Sequence, residues 1–271
     1  MYTAGISEAA AKQKSWTMPQ LVAMKGKTPI VMVTAYDATM AKLVDDFVDV
    51  ILIGDSLGMV VQGHSSTIPV TLEEIIYHTR MVARAARHAC IVADMPFMSY
   101  QASVEDAVRA AGRLLKEGNA HAIKLEGGLP VVPQVRAIVD AGIPVVGHLG
   151  VTPQSIHALG GYGKQGKSDE GAKALLEAAQ ALDGAGCSLL VLENILHELA
   201  QEVTKRVRAC TIGIGAGPHC DGQVQVFHDL VGLFPDFTPR HAKRFFEGGT
   251  GIRTAMEAYA KEVRSGKFMS K

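Results

Sequence analysis

AHAIKLEGG, residues 120–128, sets two charged residues inside an apolar run. Side chains along a strand alternate between its faces, so Ile123 and Leu125 share one side while Lys124 and Glu126 share the other. If the apolar pair packs against helices, the charged pair enters a closed sheet. Seven further runs resemble this one: PIVMVTAYD (29–37), VDVILIGDS (48–56), ACIVADMP (89–96), IPVVGHLG (143–150), CSLLVLEN (187–194), ACTIGIGAG (209–217) and, weakest in pattern, GQVQVFHDL (222–230). Helical patterns fill most of the intervals, among them SVEDAVRAAGRLLKEGN at 103–119 and DEGAKALLEAAQALDGAG at 169–186.

Runs that are apolar on both faces and alternate with helices belong to a parallel sheet covered on both sides. Eight such units predict a (β/α)8 TIM barrel, with an open doubly wound sheet as the alternative. The first 25 or so residues read as an additional N-terminal helix, and 1–271 as one domain. A chain of 271 residues suits a barrel, which typically takes about 250. Lysine plus arginine balance aspartate plus glutamate at 27 each. No overall field draws the chain to nucleic acid or an anionic membrane, so a small-molecule partner is expected. Cys90, Cys187, Cys210 and Cys220 form no CxxC pair. With no signal-peptide core in MYTAGISEAAAKQKSW and no apolar run of about 18 residues, a reducing cytoplasm is expected.

Barrel enzymes keep their chemistry at the carboxyl ends of the strands. Those ends carry Tyr36, Asp55 with Ser56, Asp94, Lys124 with Glu126, His148 and Glu193. Any one acid could merely cap the helix after its strand. Lys124, within a strand, has no capping role. Three carboxylates converging with one ammonium leave a charge deficit, and hard oxygen ligands in a roomy site favour Mg²⁺ over Zn²⁺. Asp55, Asp94 and Glu126 are therefore the candidate metal ligands. His148 reads either as a site residue or as a hydrogen-bonded core histidine, and Glu193, behind SLLVLE, as a proton-transfer group with a raised pKa or as a cap.

Two motifs mislead. GYGKQGKS (161–168) matches GxxxxGK[ST], but a working P-loop leaves a strand directly, whereas VTPQSIHALG precedes this one. It reads instead as a lid over the barrel mouth. GIGAG (213–217) lacks the third glycine of a dinucleotide fingerprint.

Taken together, TAYDATMAKL (34–43), GDSLGMVVQGHSSTIPVT (54–71), ADMPFMSY (93–100), IKLEGG (123–128), GHLGVTPQS (147–155), GGYGKQGK (160–167), LLVLEN (189–194) and the segment 212–245 resemble the ketopantoate hydroxymethyltransferase (3-methyl-2-oxobutanoate hydroxymethyltransferase) family of pantothenate biosynthesis. The resemblance spans all but about the first 15 residues. It implies a barrel with Mg²⁺ at Asp55, Asp94 and Glu126, and substrate contacts from both aspartates, Ser56 and Lys124. It further implies proton transfer by Glu193 and pocket positions for His148 and Tyr36. The one-carbon donor would be 5,10-methylenetetrahydrofolate, the reaction would pass through a Mg-stabilised enolate, and the assembly would be a homodecamer. Lys167 and Ser168, in the lid, depart from the family's pattern. The nearest competing enzyme is a Mg²⁺-dependent 2-oxo-acid lyase or mutase of the isocitrate lyase and phosphoenolpyruvate mutase type; a non-catalytic assembly protein is the competitor from another class.

Overall fold

The computed structural model describes residues 15–234, 239 and 242–265. Each of the eight apolar runs contains a strand: β1 (Ile30–Thr34), β2 (Val50–Ile53), β3 (Cys90–Asp94), β4 (Ala122–Glu126), β5 (Val145–Gly150), β6 (Leu189–Glu193), β7 (Cys210–Ile214) and β8 (Gly222–Gln225). They pair in parallel and in sequence order, and β8 returns to β1 with Val33 opposite Gln225, closing the barrel. The weakest run, at 222–230, supplies the closing strand. Its burial alternates, since Gln223 is exposed while Val224 is buried, which is why it lacks the continuous apolar look of the others.

Helix α1 (Met18–Val22) precedes the barrel. Helices α2 (Ala38–Val44), α3 (Leu57–Val60), α4 (Leu72–Ala85), α5 (Val104–Gly118) and α6 (Val132–Asp140) follow β1 to β4, with both α3 and α4 between β2 and β3. Helices α7 (Ile156–Leu159) and α8 (Asp169–Ala185) lie between β5 and β6, α9 (His197–Arg206) follows β6, and α10 (Phe227–Leu230) and α11 (Gly248–Arg264) come after β8. Four of them, α2, α4, α5 and α8, are closed at the N-terminus by short polar side chains. Asp37 accepts from the Met40 N–H, Thr71 from Glu74, Ser103 from Asp106 and Ser168 from Gly171. Each satisfies a donor that the first helical turn leaves unpaired.

Alternation along the strands divides the core in two. Ile51, Ile91, Ile123, Leu125, Leu190 and Leu192 point outward into one layer shared with the helices. Val50, Val92, Ala122, Val146, Val191 and Ile212 point inward and fill the barrel. Met18 and Leu21 of α1 belong to the inner cluster, so the extra N-terminal helix is a floor under the amino ends of the strands. It is a single short helix among the described residues; residues 1–14, included in the sequence expectation, lie outside them. Lys25 fastens this floor to the barrel, donating to the carbonyls of Thr204 and Ala209 and to Asp221 Oδ2 at 2.7 Å. The floor leaves only the carboxyl end of the barrel open.

Helix α11 departs from the regular pattern. Only Gly248 and Gly249 of it are buried, while Ile252, Met256, Tyr259 and Val263 are exposed at four- and three-residue spacing, a continuous apolar stripe on one helix face. Among the described residues no helix is long and apolar enough to cross a membrane.

Leu21 is wholly buried within the barrel floor. Leu21→Ala is expected to cost about 2–5 kcal/mol of stability, the usual penalty for an unfilled leucine cavity. Equilibrium denaturation measures it, and a loss under about 1 kcal/mol would show that α1 does not seal the barrel.

Candidate active site

The residues singled out in the sequence converge at the open mouth. In parallel sheets, register partners share a face. Asp94 therefore stands beside Lys124, and Glu126 beside His148. Glu193, opposite Gly150, completes the arc from β6. Gly150 adopts φ +96°, and a Cβ there would run into the Glu193 carbonyl, so only glycine lets these two strand ends approach so closely. Asp55 enters from the turn after β2, its backbone N–H donating to Asp94 Oδ2 at 3.0 Å. The Tyr36 hydroxyl and Ser56 Oγ are 2.8 Å apart, joining the β1 and β2 ends of the mouth.

None of these acids is a cap. Ser103 closes α5 and Leu196 precedes α9, so Asp94 and Glu193 serve neither helix; the Asp55 and Glu126 side chains turn to site partners instead. Lys124 Nζ is 2.7 Å from Asp94 Oδ1 and 3.6 Å from Glu126 Oε1. His148 Nδ1 donates to Glu126 Oε1 at 3.2 Å, and its Nε2 is 3.2 Å from Glu193 Oε2. The imidazole thus lies between two carboxylates of the mouth. Glu193 is placed differently from Glu126. Its side chain is 16% exposed against 2% for Glu126, because it stands at the rim of the mouth, above the apolar run that precedes it.

Charge in this pocket is unequal. Burial, reinforced by the Asp94 and Glu126 carboxylates, drives the Asp55 pKa well above its ordinary value against the pull of Lys124 and Gln154. Burial also raises Asp94, despite Lys124. Lys124 is held charged: its three acidic neighbours raise its pKa against burial. Burial opposes Glu126 as well, yet His148 and Lys124 bring it below the usual range. Burial and the Lys124 charge both disfavour protonation of His148, but Glu126 and Glu193 outweigh them and lift it to about 9. Four carboxylates face two cations, and the strain of that imbalance falls on Asp55. A set of hard oxygen donors with surplus negative charge fits a small divalent cation.

Two contributors escaped the sequence reading. Gln154, in the 3-10 turn Pro153–Ser155 after β5, is 3% exposed and donates through Nε2 to Asp55 Oδ2 at 2.8 Å and to the Met95 carbonyl at 2.9 Å. Its backbone N–H donates to Glu126 Oε2 at 3.0 Å. Tyr100 follows Met98, whose left-handed backbone (φ +66°) turns the β3 loop back on itself. The Tyr100 hydroxyl accepts the Glu126 N–H at 3.0 Å and lies 2.8 Å from Gln154 Oε1. Both residues sit in loop motifs with no strand periodicity to give their facing.

The motifs set aside in the sequence stay set aside. A 3-10 turn and α7, not a strand, precede GYGKQGKS, and Ser168 is spent capping α8. The loop is tied to β6 instead: Asn194 Nδ2 donates to the Tyr162 carbonyl and Gln165 N–H to the Asn194 carbonyl. GIGAG leads into β8 and not into a helix. Asp45, Asp46 and His88 form a separate group with metal-ligand chemistry, but Asp45 is occupied by the backbone N–H groups of Arg87, His88 and Ala89.

The family model described as ketopantoate hydroxymethyltransferase matches residues 15–271. A 3-methyl-2-oxobutanoate hydroxymethyltransferase of Moorella thermoacetica is 56% identical over 95% of this chain and 97% of its own length. Among solved structures, 2,3-dimethylmalate lyase, a PEP mutase/isocitrate lyase superfamily member, superposes with TM-score 0.59 at 17% identity, over 94% of this chain and 90% of that one. Phosphonopyruvate hydrolase in complex with oxalate and Mg²⁺ gives TM-score 0.62 at 12% identity, over 94% and 89%. At such identities the structural likeness shows the barrel alone.

His148 binds its proton more tightly folded, with a pKa of about 9 against an ordinary 6.5. A raised pKa contributes stability that is complete below the unfolded value and lost as pH rises through the folded one. With chelator present, thermal stability is therefore expected to fall between about pH 6.5 and 9, and Asp55, also raised, acts in the same direction. His148→Gln should flatten that fall; an unchanged slope in the variant would mean that His148 does not hold the extra proton.

Proposed function

We propose, for a chain that belongs to the ketopantoate hydroxymethyltransferase family, that this mouth joins the one-carbon unit of 5,10-methylenetetrahydrofolate to C3 of 3-methyl-2-oxobutanoate, giving ketopantoate. The observation that carries the reading is the convergence of Asp55, Asp94, Lys124, Glu126, His148 and Glu193 in a pocket that holds more acid than base. That surplus supports Mg²⁺ as the resident cofactor. Asp55 and Asp94 would hold it directly. Glu126, whose oxygens are engaged by His148 and by the Gln154 N–H, would act on the ion directly or through water. When bound, the ion supplies Lewis acidity to a chelating 2-oxo acid and so acidifies the adjacent C–H.

The chain's own groups do the rest. Lys124, kept charged between Asp94 and Glu126, presents a fixed positive group beside the charge that develops on the substrate's keto oxygen. Glu193 moves the proton. Its rim position reaches incoming substrate, and its Oε2 lies 3.2 Å from His148 Nε2. On carbon, Glu193 takes the C3 proton and leaves the electron pair to form the new C–C bond; on nitrogen, it returns a proton to the folate. One water is consumed, whose oxygen becomes the new hydroxyl, and tetrahydrofolate is released. Tyr36 and Ser56 line the β1–β2 side of the pocket as substrate contacts. The reading sets the enzyme in pantothenate biosynthesis in the cytoplasm. The exposed apolar stripe of α11 supports a homo-oligomer, for which we take the decamer.

Asp55→Ala, or excess chelator on the unaltered protein, is expected to abolish folate-dependent ketopantoate formation; undiminished turnover in either would remove the metal from the reaction. Glu193→Gln should lower kcat by about 10²–10⁴-fold with little change in KM for the oxo acid. A kcat within threefold of the unaltered enzyme would discard the proton-transfer role. Product formation without any folate would revive the lyase or mutase reading.

A further inference from the structure

We infer that Gln154 is a positioning residue that sets which divalent cation the mouth prefers; the inference rests on the metal reading above. Gln154 uses its whole hydrogen-bonding capacity inside the protein. Its Nε2 donates both protons, to Asp55 Oδ2 and the Met95 carbonyl, while its Oε1 faces the Tyr100 hydroxyl at 2.8 Å and Gln101 Nε2 at 3.2 Å. Its own N–H fixes Glu126 Oε2. This one buried residue, by side chain to the ends of β2 and β3 and by backbone to β4, ties them to the loop after β5.

The consequence for Asp55 is orientational. A carboxylate's terminal torsion is broad, so Asp55 alone could turn either oxygen to the pocket. With Oδ2 held at 2.8 Å by Gln154, that freedom is gone, and Oδ1 takes no hydrogen bond from any described residue. Glu126 is fixed in the same way, Oε2 to the Gln154 backbone and Oε1 to His148. Mg²⁺ demands near-ideal octahedral geometry at about 2.0–2.1 Å, whereas Ca²⁺ accepts variable geometry at about 2.3–2.6 Å. Rigid carboxylates favour the first; freely turning ones favour the second. Gln154 does not have to touch the ion for this, because the selectivity lies in how little Asp55 and Glu126 can move.

The test is calorimetric titration of the metal-free protein with Mg²⁺ and, separately, with Ca²⁺, for the unaltered chain, Gln154→Met and Tyr100→Phe. Gln154→Met keeps the volume and removes the side-chain amide; Tyr100→Phe keeps the ring and removes one hydroxyl that holds Gln154. Gln154→Met is expected to weaken Mg²⁺ at least tenfold and Ca²⁺ less than threefold, with a smaller shift of the same sign in Tyr100→Phe. A purely structural role would weaken both ions together, and equal losses in both variants overturn the inference. Should Gln154→Met not fold, Tyr100→Phe alone decides, since an unchanged Mg²⁺ to Ca²⁺ ratio there also overturns it. If the unaltered protein binds neither ion, the metal reading itself fails and takes this inference with it, an outcome distinct from an unchanged ratio.

Discussion

Lys124 Nζ and Asp94 Oδ1, 2.7 Å apart and both nearly sealed from solvent, form the contact on which the barrel mouth depends. Burying a lone ion costs several kcal/mol even after the protein relaxes, so an acid-lined mouth persists only with cations inside it. Lys124 is one and His148 the other, and between them they reach Asp94, Glu126 and Glu193. Asp55 is left with a hydrogen bond from Gln154 and the repulsion of its neighbours. Four carboxylates against two cations leave the pocket short of positive charge by two, and the remaining side chains keep that shortfall in a fixed place.

The scaffold makes this arrangement tolerable. Apolar side chains fill the barrel below the site, and α1 closes it from beneath. Among the described residues the site therefore opens at the carboxyl end of the barrel. Asp37, Thr71, Ser103 and Ser168 cap α2, α4, α5 and α8, and none of the strand-end acids is spent on a cap. A cap spends an acceptor on the first turn of a helix; here those acceptors are kept for the mouth.

The loops add precision to what the strands place. Tyr100 and Gln154 come from different loops and meet over Glu126. The glycine-rich segment at 161–167 is fastened to Asn194, the residue after Glu193. The sequence reads this segment as a lid, and its attachment sets it beside the end of β6 that carries Glu193.

By itself the sequence determined the eight strands, their parallel order and the facing of each strand-borne residue. Those follow from a period of two and a rule about strand ends: Lys124 and Glu126 had to share a face with each other and oppose Ile123 and Leu125. It also brought out Asp55, Asp94, His148 and Glu193 as one group, and the family resemblance gave them a reaction. Tertiary structure alone decided the remainder. That Glu193 sits at the rim, that His148 bridges two acids, that α11 stands clear of the barrel and that Gln154 and Tyr100 belong to the site all depend on register stagger and loop path. Neither has a periodic signature in the chain. A strand repeats, so its facing can be counted along the sequence; a loop's direction is fixed by contacts with residues up to 99 positions away, as between Gln154 and Asp55, and those exist only once the barrel has closed.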